Sequence, residues 1–524
     1  MGACGPLFPS NNYMRFSRRA FLQLSGAAAL AYKVPLLAEN ANDSLCHKLA
    51  NDLLRPQYHL LPARNWMNDP NGPIFFRGRY HMFHQYNPQG ATWGNMNWAH
   101  ATSPDLIHWH HEPIALSPTP GGPDQDGVFS GSAVLDNGRP AVIYTGIAPP
   151  ASEAEATLRD GVHTWRETQC LAVAEDDDLL RWKKLPEPVI ATPPERLAVN
   201  GFRDPCLWRE GGRWMLILGS GTREHGGMIL LYSSRDLRHW TYLHPLLVGS
   251  PSGRQSPNPV DTGDMWECPD FFPLQGKHVL LISTMGKVRW KVGTYKNQRF
   301  TAEKEGVVDW GSYYAAKTMM DRDGNRILWG WIPETRPDAD LVAAGWAGAM
   351  SLPRILSLNA ANELQTEVSP VAQILRAGPE AHLTGAVRQQ DVDRLRIRDL
   401  SAELKLRFQP KSENVTLRLH SDNGEFADIA IANSPSGRLL RVNNLTAALP
   451  EPTASPIELH FFLDGSVLEI FVQKSAALTA RVYQTPSGPL RLSLDGNAEL
   501  LSLDAWQMTP ISKDRLTGSM CIGH

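Results

Sequence analysis

The chain has 524 residues, and its 51 Lys and Arg against 54 Asp and Glu leave a formal net charge of −3. This length exceeds one ordinary hydrophobic core and predicts two domains. The balanced charge excludes the basic stripe of a nucleic-acid-binding protein and the acidic tail of a disordered one, so no nucleic-acid partner is expected.

The N-terminal segment has the features of an export signal. Arg18 and Arg19 precede a short stretch of small apolar residues at 24–31. This pattern is typical of a twin-arginine signal, so residues 1–45 are predicted to be such a signal with a short leader, and the mature protein to be periplasmic or extracellular in a bacterium. An ordinary amphipathic first helix is the alternative. No later stretch approaches the roughly 18 apolar residues of a membrane span, so no membrane contact is expected after signal removal.

Five similar units follow. In each unit a Gly-centred turn leads into a short apolar run, and the turns lie at Gly78, Gly138, Gly212, Gly276 and Gly324. The pattern D-L-x-x-W also occurs three times, beginning at Asp105, Asp178 and Asp236. Long repeats of short strands are typical of four-stranded blades arranged radially. Residues 50–360 are therefore predicted to form a five-bladed β-propeller with D-L-x-x-W turns at the blade edges; an irregular β-sandwich is the alternative.

The remaining chain predicts a second β domain. Residues 361–385 contain Pro370, Gly378 and Pro379 with little strand periodicity, and are interpreted as a linker. From 386 to 512 short alternating runs return, and Asp464-Gly465 predicts a hairpin turn. Short strands without a long helical pattern indicate a β-sandwich, so both domains are expected to be all-β.

Three acidic residues stand in unusual settings. Asp69 lies in W-M-N-D-P-N-G, which fits either a rigidly held nucleophile or a plain surface turn. Asp204 lies in F-R-D-P-C; it either makes a loop salt bridge with Arg203, or binds sugar hydroxyls while Arg203 keeps a neighbouring carboxylate ionised. Glu267 lies in M-W-E-C-P-D, where poor solvation favours the protonated form that a general acid needs. A buried structural Glu is the alternative.

The positions of the three carboxylates within the repeats favour the catalytic interpretation. Asp69 precedes the first hairpin, Asp204 the third and Glu267 the fourth. Equivalent positions in propeller blades face the central axis at one end, so these side chains are expected to converge in a funnel, as glycosidase carboxylates do. No His, Cys and Asp cluster has ligand spacing, and the six Cys form no C-x-x-C pair, so no metal is expected.

At 66–72, 203–205 and 266–270 the chain reads W-M-N-D-P-N-G, R-D-P and W-E-C-P-D in this order. These motifs make it similar, over nearly all of the mature chain, to glycoside hydrolase family 32, the invertases, levanases, inulinases and fructan exohydrolases. The resemblance implies a five-bladed propeller followed by a β-sandwich and β-fructosidase activity without a cofactor.

The resemblance also assigns residues. It implies that Asp69 is the nucleophile, Asp204 the transition-state stabiliser and Glu267 the general acid/base. It implies seven substrate-binding residues, which are Asn68, Gln85, Trp93, Phe129, Ser130, Arg203 and Trp331. Two places depart from the family pattern: His84 stands where members often have Tyr, and D-W-G-S-Y-Y-A at 309–315 matches the family's D-F-G-x-x-F/Y-Y-A segment only loosely.

The implied reaction is double displacement at C2 of a terminal β-D-fructofuranosyl unit of sucrose, levan or inulin. A retaining mechanism predicts that the carboxyls of Asp69 and Glu267 lie about 5–5.5 Å apart. A fructosyltransferase on the same scaffold is the nearest alternative, but Trp at position 66 tends to accompany hydrolysis in this family. A non-catalytic fructan-binding protein is the third, and retention of both carboxylates argues against it. The preferred substrate and the oligomeric state stay open.

Overall fold

The computed structural model of the chain describes residues 44–385, 387–435, 437–450 and 456–516. The predicted export signal, including Arg18 and Arg19, lies outside the described residues. Within these ranges the chain forms a five-bladed β-propeller followed by a β-sandwich, as the sequence predicts. No helix in the described ranges is long and apolar enough to cross a membrane.

The propeller contains five antiparallel sheets that follow one another in the chain. Blade 1 consists of β1 Asn65–Phe76, β2 Arg79–Asn87, β3 Asn97–Ser103 and β4 His110–Leu116. Blade 2 consists of β5 Gly127–Asp136, β6 Arg139–Ala148, β7 Leu158–Arg159, β8 Thr164–Ala174 and β9 Trp182–Lys184. Blade 3 consists of β10 Val199–Glu210, β11 Arg213–Thr222, β12 Gly226–Ser234 and β13 Trp240–Val248. Blade 4 consists of β14 Glu267–Leu274, β15 Lys277–Thr284, β16 Lys287–Lys296 and β17 Arg299–Val307.

Blade 5 consists of β18 Tyr314–Met320, β19 Arg326–Ile332, β22 Arg354–Leu358 and β23 Leu364–Val368. The short strands β20 Trp346–Ala347 and β21 Ala349–Met350 lie between its second and third strands in the chain, and β20 closes the ring. Strand β20 pairs in parallel with β1 of blade 1. The first strand of every blade contacts the first strands of both neighbouring blades, and β18 contacts β1. These five first strands therefore surround the central axis.

Among the described residues the helices are few and short. They are α1 at 44–51, α2 Pro259–Thr262, α3 Asp338–Ala344 and α4 Gln389–Val392, with 3-10 turns at Glu153–Glu155 and Pro370–Leu375. Strand residues dominate the described chain, which agrees with the predicted all-β class.

Both repeats seen in the sequence have a defined place in the blades. The five Gly-centred turns connect the first and second strands, and all five glycines have positive φ. The D-L-x-x-W units precede or begin the outermost strands of blades 1 to 3. Their leucines, Leu106, Leu179 and Leu237, are buried and also have positive φ. The ring of Trp182 packs edge-on against Phe83 of blade 1, so this Trp lies between neighbouring blades as predicted.

The sandwich consists of a six-stranded and a five-stranded antiparallel sheet around one apolar core. The six-stranded sheet is formed by β24 Arg376–Thr384, β25 Ser401–Pro410, β30 Ile457–Asp464, β31 Val467–Val472, β32 Ala476–Arg481 and β34 Ala498–Met508. The five-stranded sheet is formed by β26 Asn414–Ser421, β27 Gly424–Ser434, β28 Gly437–Val442, β29 Leu445–Ala448 and β33 Arg491–Asp495.

The structure differs from the predicted linker at 361–385. This segment contains β23, the outer strand of blade 5, and β24, an edge strand of the sandwich. Strand β24 was not predicted because it contains Gly378 and Pro379, and both residues disfavour a central strand. An edge strand tolerates them, and the pairing of β24 with β34 shifts register on both sides of Pro379. The connection between the domains is correspondingly short, from 369 to 375.

Candidate active site

The first strands of the five blades share an irregularity at the same place. Each strand shifts register against its neighbour over two residues, which are Asn68-Asp69, Phe129-Ser130, Asp204-Pro205, Cys268-Pro269 and Ala315-Ala316. A bulge of this kind bends the strand and re-aims its side chains. Three of the bulged residues, Asp204, Cys268 and Ala315, have positive φ without being glycine. Such backbone is costly and persists where the surrounding structure enforces it, which is common at functional sites.

Asp69 lies in the bulge of blade 1 and is held by neutral donors. Its Oδ2 accepts a hydrogen bond from Ser130 Oγ at 2.5 Å and lies 3.4 Å from Cys268 Sγ. Its Oδ1 accepts from Asn68 Nδ2 at 3.1 Å. Burial raises the pKa of Asp69, the Ser130 hydrogen bond opposes this, and the negative charge of Glu267 raises it further.

Asp204 lies in the bulge of blade 3 and points toward the same sulfur. Its Oδ2 accepts from the backbone N–H of Cys268 at 2.9 Å and lies 3.6 Å from Cys268 Sγ. Its own N–H donates to Thr145 Oγ1 at 2.9 Å. Burial raises the pKa of Asp204, Arg203 opposes the shift, and the charges of Glu267 and Asp69 add to it.

Glu267 begins the first strand of blade 4, and its side chain is 22% exposed. Its Oε1 accepts from Arg203 Nε at 3.1 Å and Nη2 at 2.8 Å, and its Oε2 accepts from Tyr314 OH at 2.7 Å. Arg203 Nη1 also donates to Glu167 Oε1 at 2.8 Å. The carboxylates of Glu167 and Glu267 raise the pKa of Arg203 well above its usual value, although burial alone lowers it. The guanidinium therefore stays charged beside Glu267.

A hydrogen-bond chain connects the predicted fructose-binding side chains of blades 1 and 2. Trp66 Nε1 donates to Asn68 Oδ1 at 2.8 Å, and Asn68 Nδ2 donates to Gln85 Oε1 at 2.9 Å. Gln85 Nε2 then donates to Ser130 Oγ at 2.7 Å, and Ser130 reaches Asp69. The chain fixes the amide orientation of Asn68 and Gln85 beside the carboxylate of Asp69.

Aromatic rings line the remaining sides. Trp331 in blade 5 lies edge-on to Trp66, with ring centroids 5.7 Å apart. Phe129 is buried beside Ser130, and Trp93 lies edge-on to it at 6.0 Å. Trp93 is 39% exposed, so it lies at the mouth of the funnel and the other rings lie deeper. The structure thus brings all ten predicted site residues to one end of the propeller axis.

Sequence reasoning missed several contributors. Cys268 contacts two of the carboxylates, Tyr314 contacts Glu267, and Glu167 and Thr145 hold the segment around Arg203 from blade 2. Cys268 and Tyr314 could have been found from the repeat, because both lie at or next to the bulge in the first strand of a blade, as the three carboxylates do. Glu167 gave no local signal. Over the residues that the structure describes, no group of three or more His, Cys, Asp or Glu side chains is arranged to hold a metal ion.

A five-bladed propeller with three carboxylates converging between hydroxyl, amide and indole groups defines the active site of a glycoside hydrolase. The model of the glycosyl hydrolases family 32 N-terminal domain matches residues 59–368, and that of the family 32 C-terminal domain matches residues 372–507. The chain belongs to glycoside hydrolase family 32.

Individual relatives agree. The chain is 33% identical over 481 residues to a sucrose-6-phosphate hydrolase of Escherichia coli, covering 86% of this chain and 93% of the relative. It is 36% identical over 424 residues to a cell wall β-fructofuranosidase of Zea mays, covering 71% and 67%. Its structure is similar to that of fructan 1-exohydrolase IIa from Cichorium intybus, with a TM-score of 0.73, 26% identity and coverage of 87% and 98%.

Proposed function

We propose that this glycosidase releases fructose from terminal β-D-fructofuranosyl residues of sucrose or fructans by double displacement. The observation that carries the proposal is the convergence of three carboxylates beside Cys268: Asp69 and Asp204 lie in the axial bulges of blades 1 and 3, and Glu267 lies directly before the bulge of blade 4. The relatives support the substrate class, since they include sucrose-6-phosphate hydrolases, β-fructofuranosidases and a fructan exohydrolase.

Asp69 acts as the nucleophile at C2 of the fructosyl ring. Its carboxylate is oriented by Ser130 and Asn68, which leave it uncompensated by a cation. Glu267 protonates the departing glycosidic oxygen, and a covalent fructosyl-enzyme forms on Asp69. Glu267 then takes a proton from water, which attacks C2 and releases fructose with retained configuration.

Asp204 and the side-chain amides of Asn68 and Gln85 hold the sugar. The buried carboxylate of Asp204 accepts hydroxyl hydrogens of the fructosyl ring and stabilises the oxocarbenium-like transition state. Asn68 and Gln85 are fixed in one orientation by Trp66 and Ser130, so they offer fixed partners to further hydroxyls. Trp66 itself supports water as the acceptor, because Trp at this position tends to accompany hydrolysis in the family.

The test is product analysis with sucrose, inulin and levan as parallel substrates. Free fructose, with its initial anomer followed by NMR, is expected from at least one of them. Asp69→Asn is expected to lower turnover by a factor of about 10⁴ or more. Growing oligomers with glucose release would identify a transferase, and no product from any substrate would refute the proposal.

We also propose that the protein is exported through a twin-arginine signal. The support is the Arg18-Arg19 pair before the apolar stretch at 24–31. Cell fractionation of the full chain and of an Arg18→Lys, Arg19→Lys variant tests it. The variant is expected to stay in the cytoplasm with its signal uncleaved, and equal export of both proteins would refute the signal.

A further inference from the structure

An extra hairpin in blade 2 carries two aromatic side chains that the reaction does not use. Strands β7 and β8 pair at Leu158–Arg159 and Thr164–Trp165. The turn between them is fixed by Asp160, whose Oδ1 accepts the N–H groups of Val162 at 2.8 Å and His163 at 2.6 Å. Asp160 Oδ2 also lies 3.0 Å from His163 Nδ1. The turn is therefore preorganised.

The tip of this hairpin lies against the connection between blades 3 and 4. An added Cβ at Gly161 would lie 2.5 Å from Pro257, which belongs to the connection between blades 3 and 4. That connection leads into Glu267. The hairpin thus spans from the Ser130 side of the funnel toward the side that carries Glu267.

The aromatic rings on the hairpin continue the rings of the site. Trp165 lies edge-on to Phe129 with centroids 6.0 Å apart, and His163 stacks on Trp165 at 4.2 Å with an interplanar angle of 14°. Trp93 contacts both, at 5.3 Å from His163 and 6.1 Å from Trp165. We call Trp93, His163 and Trp165 the outer platform. Trp93 and Trp165 both contact Phe129, the neighbour of Ser130, so the outer platform extends from the residues beside Asp69 outward to solvent.

The outer platform is only partly buried: Trp165 packs against the apolar cluster that contains Trp66, Phe129 and Trp331, and His163 pairs with Asp160 at 3.0 Å. Trp93 is 39% exposed and Val162 at the hairpin tip is 76% exposed, so apolar surface is held at the mouth without a covering element among the described residues. The charged side chains on the adjoining segment are paired, Arg159 with Glu153 and Arg166 with Glu155. An amphipathic ring with a polar edge suits the C–H face of a neutral sugar, whereas a phosphate gains nothing from it.

We propose that His163 and Trp165, together with Trp93, bind the uncharged sugars of the leaving group. Trp165 lies next to Phe129 and stacks on the ring adjacent to the scissile bond. His163 and Trp93 lie farther out and stack on the following ring. The preferred substrate is then a neutral fructo-oligosaccharide with at least two sugars beyond the scissile bond. This assignment rests on the proposed fructosidase function.

The test compares kcat/KM for sucrose, 1-kestose and sucrose 6-phosphate. Sucrose places one ring beyond the scissile bond and 1-kestose places two. His163→Ala is expected to lower kcat/KM for 1-kestose about tenfold and to leave that for sucrose within about twofold. Trp165→Leu is expected to lower both. Trp240→Leu, which changes a half-buried Trp at the outer edge of blade 3, is the matched control and is expected to change neither.

The outcomes separate the two proposals. If the wild type hydrolyses these sugars but His163→Ala has the same 1-kestose to sucrose ratio of kcat/KM, the proposed role of the outer platform is wrong. The fructosidase function is unaffected by that result. A tenfold preference of the wild type for sucrose 6-phosphate over 1-kestose also overturns it. No fructose from any substrate refutes the function itself, and with it the subsite. A circular dichroism spectrum of His163→Ala that matches the wild type shows that a decrease in the 1-kestose to sucrose ratio of kcat/KM does not come from misfolding.

Discussion

Replacing His59 with Gln is expected to destabilise the contact between the two domains in a pH-dependent way. His59 is fully buried between the domains, with Nδ1 2.8 Å from Asp464 Oδ2 and Nε2 2.9 Å from Glu469 Oε1. Arg354 of the propeller also donates from Nε to Glu469 Oε2 at 3.0 Å. Two buried carboxylates of the sandwich are thus compensated by cations from outside it, and removing one partner leaves an uncompensated buried charge.

The magnitude follows from the pKa of His59. Burial alone lowers this pKa, but the hydrogen bonds to Asp464 and Glu469 outweigh burial and raise it from 6.5 to about 9. Because the folded pKa lies above the unfolded one, the charged imidazole contributes its full stability below about pH 6.5 and loses it as the pH rises through 9. A shift of this size corresponds to about 3 kcal/mol.

The assay is unfolding of wild type and His59→Gln at pH 6 and pH 10, followed by intrinsic fluorescence. The variant is expected to lose about 3 kcal/mol at pH 6 and clearly less at pH 10, where the wild-type imidazole is also neutral. His239→Gln is the matched control, because His239 pairs with Asp236 at 2.7 Å on the surface and its removal should cost almost nothing. An equal loss at both pH values would refute the assignment of a charged His59.

Two further predictions concern the active site. Asp69→Asn is expected to unfold at a higher temperature than the wild type at pH 7. Burial raises the pKa of Asp69 in the folded protein, so its ionised carboxylate destabilises the fold above the pKa of the unfolded state. Scanning fluorimetry should show that the difference in unfolding temperature disappears below about pH 4. Glu167→Gln weakens the support of Arg203, which holds Glu267. It is expected to lower kcat about tenfold with little change in KM, since a hydrogen bond to a charged group is worth about 1.5–3 kcal/mol; steady-state kinetics checks this, and an unchanged kcat would contradict it.

Much of the fold and the position of the three carboxylates could be predicted from repeats. The Gly-centred turns recur because each blade needs the same tight hairpin, and the motif residues precede them by similar distances. Pro70, Pro205 and Pro269 share a further property, since each lies in or next to a bulge where no ladder hydrogen bond is lost. A local sequence signal therefore exists wherever one strand determines the geometry by itself.

The residues that sequence reasoning missed depend on contacts between blades. Glu167 lies on β8, the third strand of blade 2 counted from the axis. It becomes part of the site through contacts with blade 3, where its carboxylate accepts a hydrogen bond from the backbone N–H of Phe202 at 2.7 Å in addition to that from Arg203. No pattern within blade 2 indicates this. Strand β24 was missed for a related reason, because only its place at a sheet edge makes Pro379 acceptable.

The two groups of buried carboxylates in this protein differ in the charge of their donors. Glu469 between the domains accepts from Arg354 and His59, and these cations lower its pKa to about 2 although burial opposes the shift. Asp69 in the funnel accepts mainly from the neutral Ser130 and Asn68, and burial raises its pKa. The carboxylate between the domains is electrostatically satisfied in the folded protein, whereas Asp69 is not. In the proposed reaction, a positive charge appears beside Asp69 only on the oxocarbenium-like fructosyl ring, so this interaction is stronger in the transition state than in the ground state, which is the condition for catalysis.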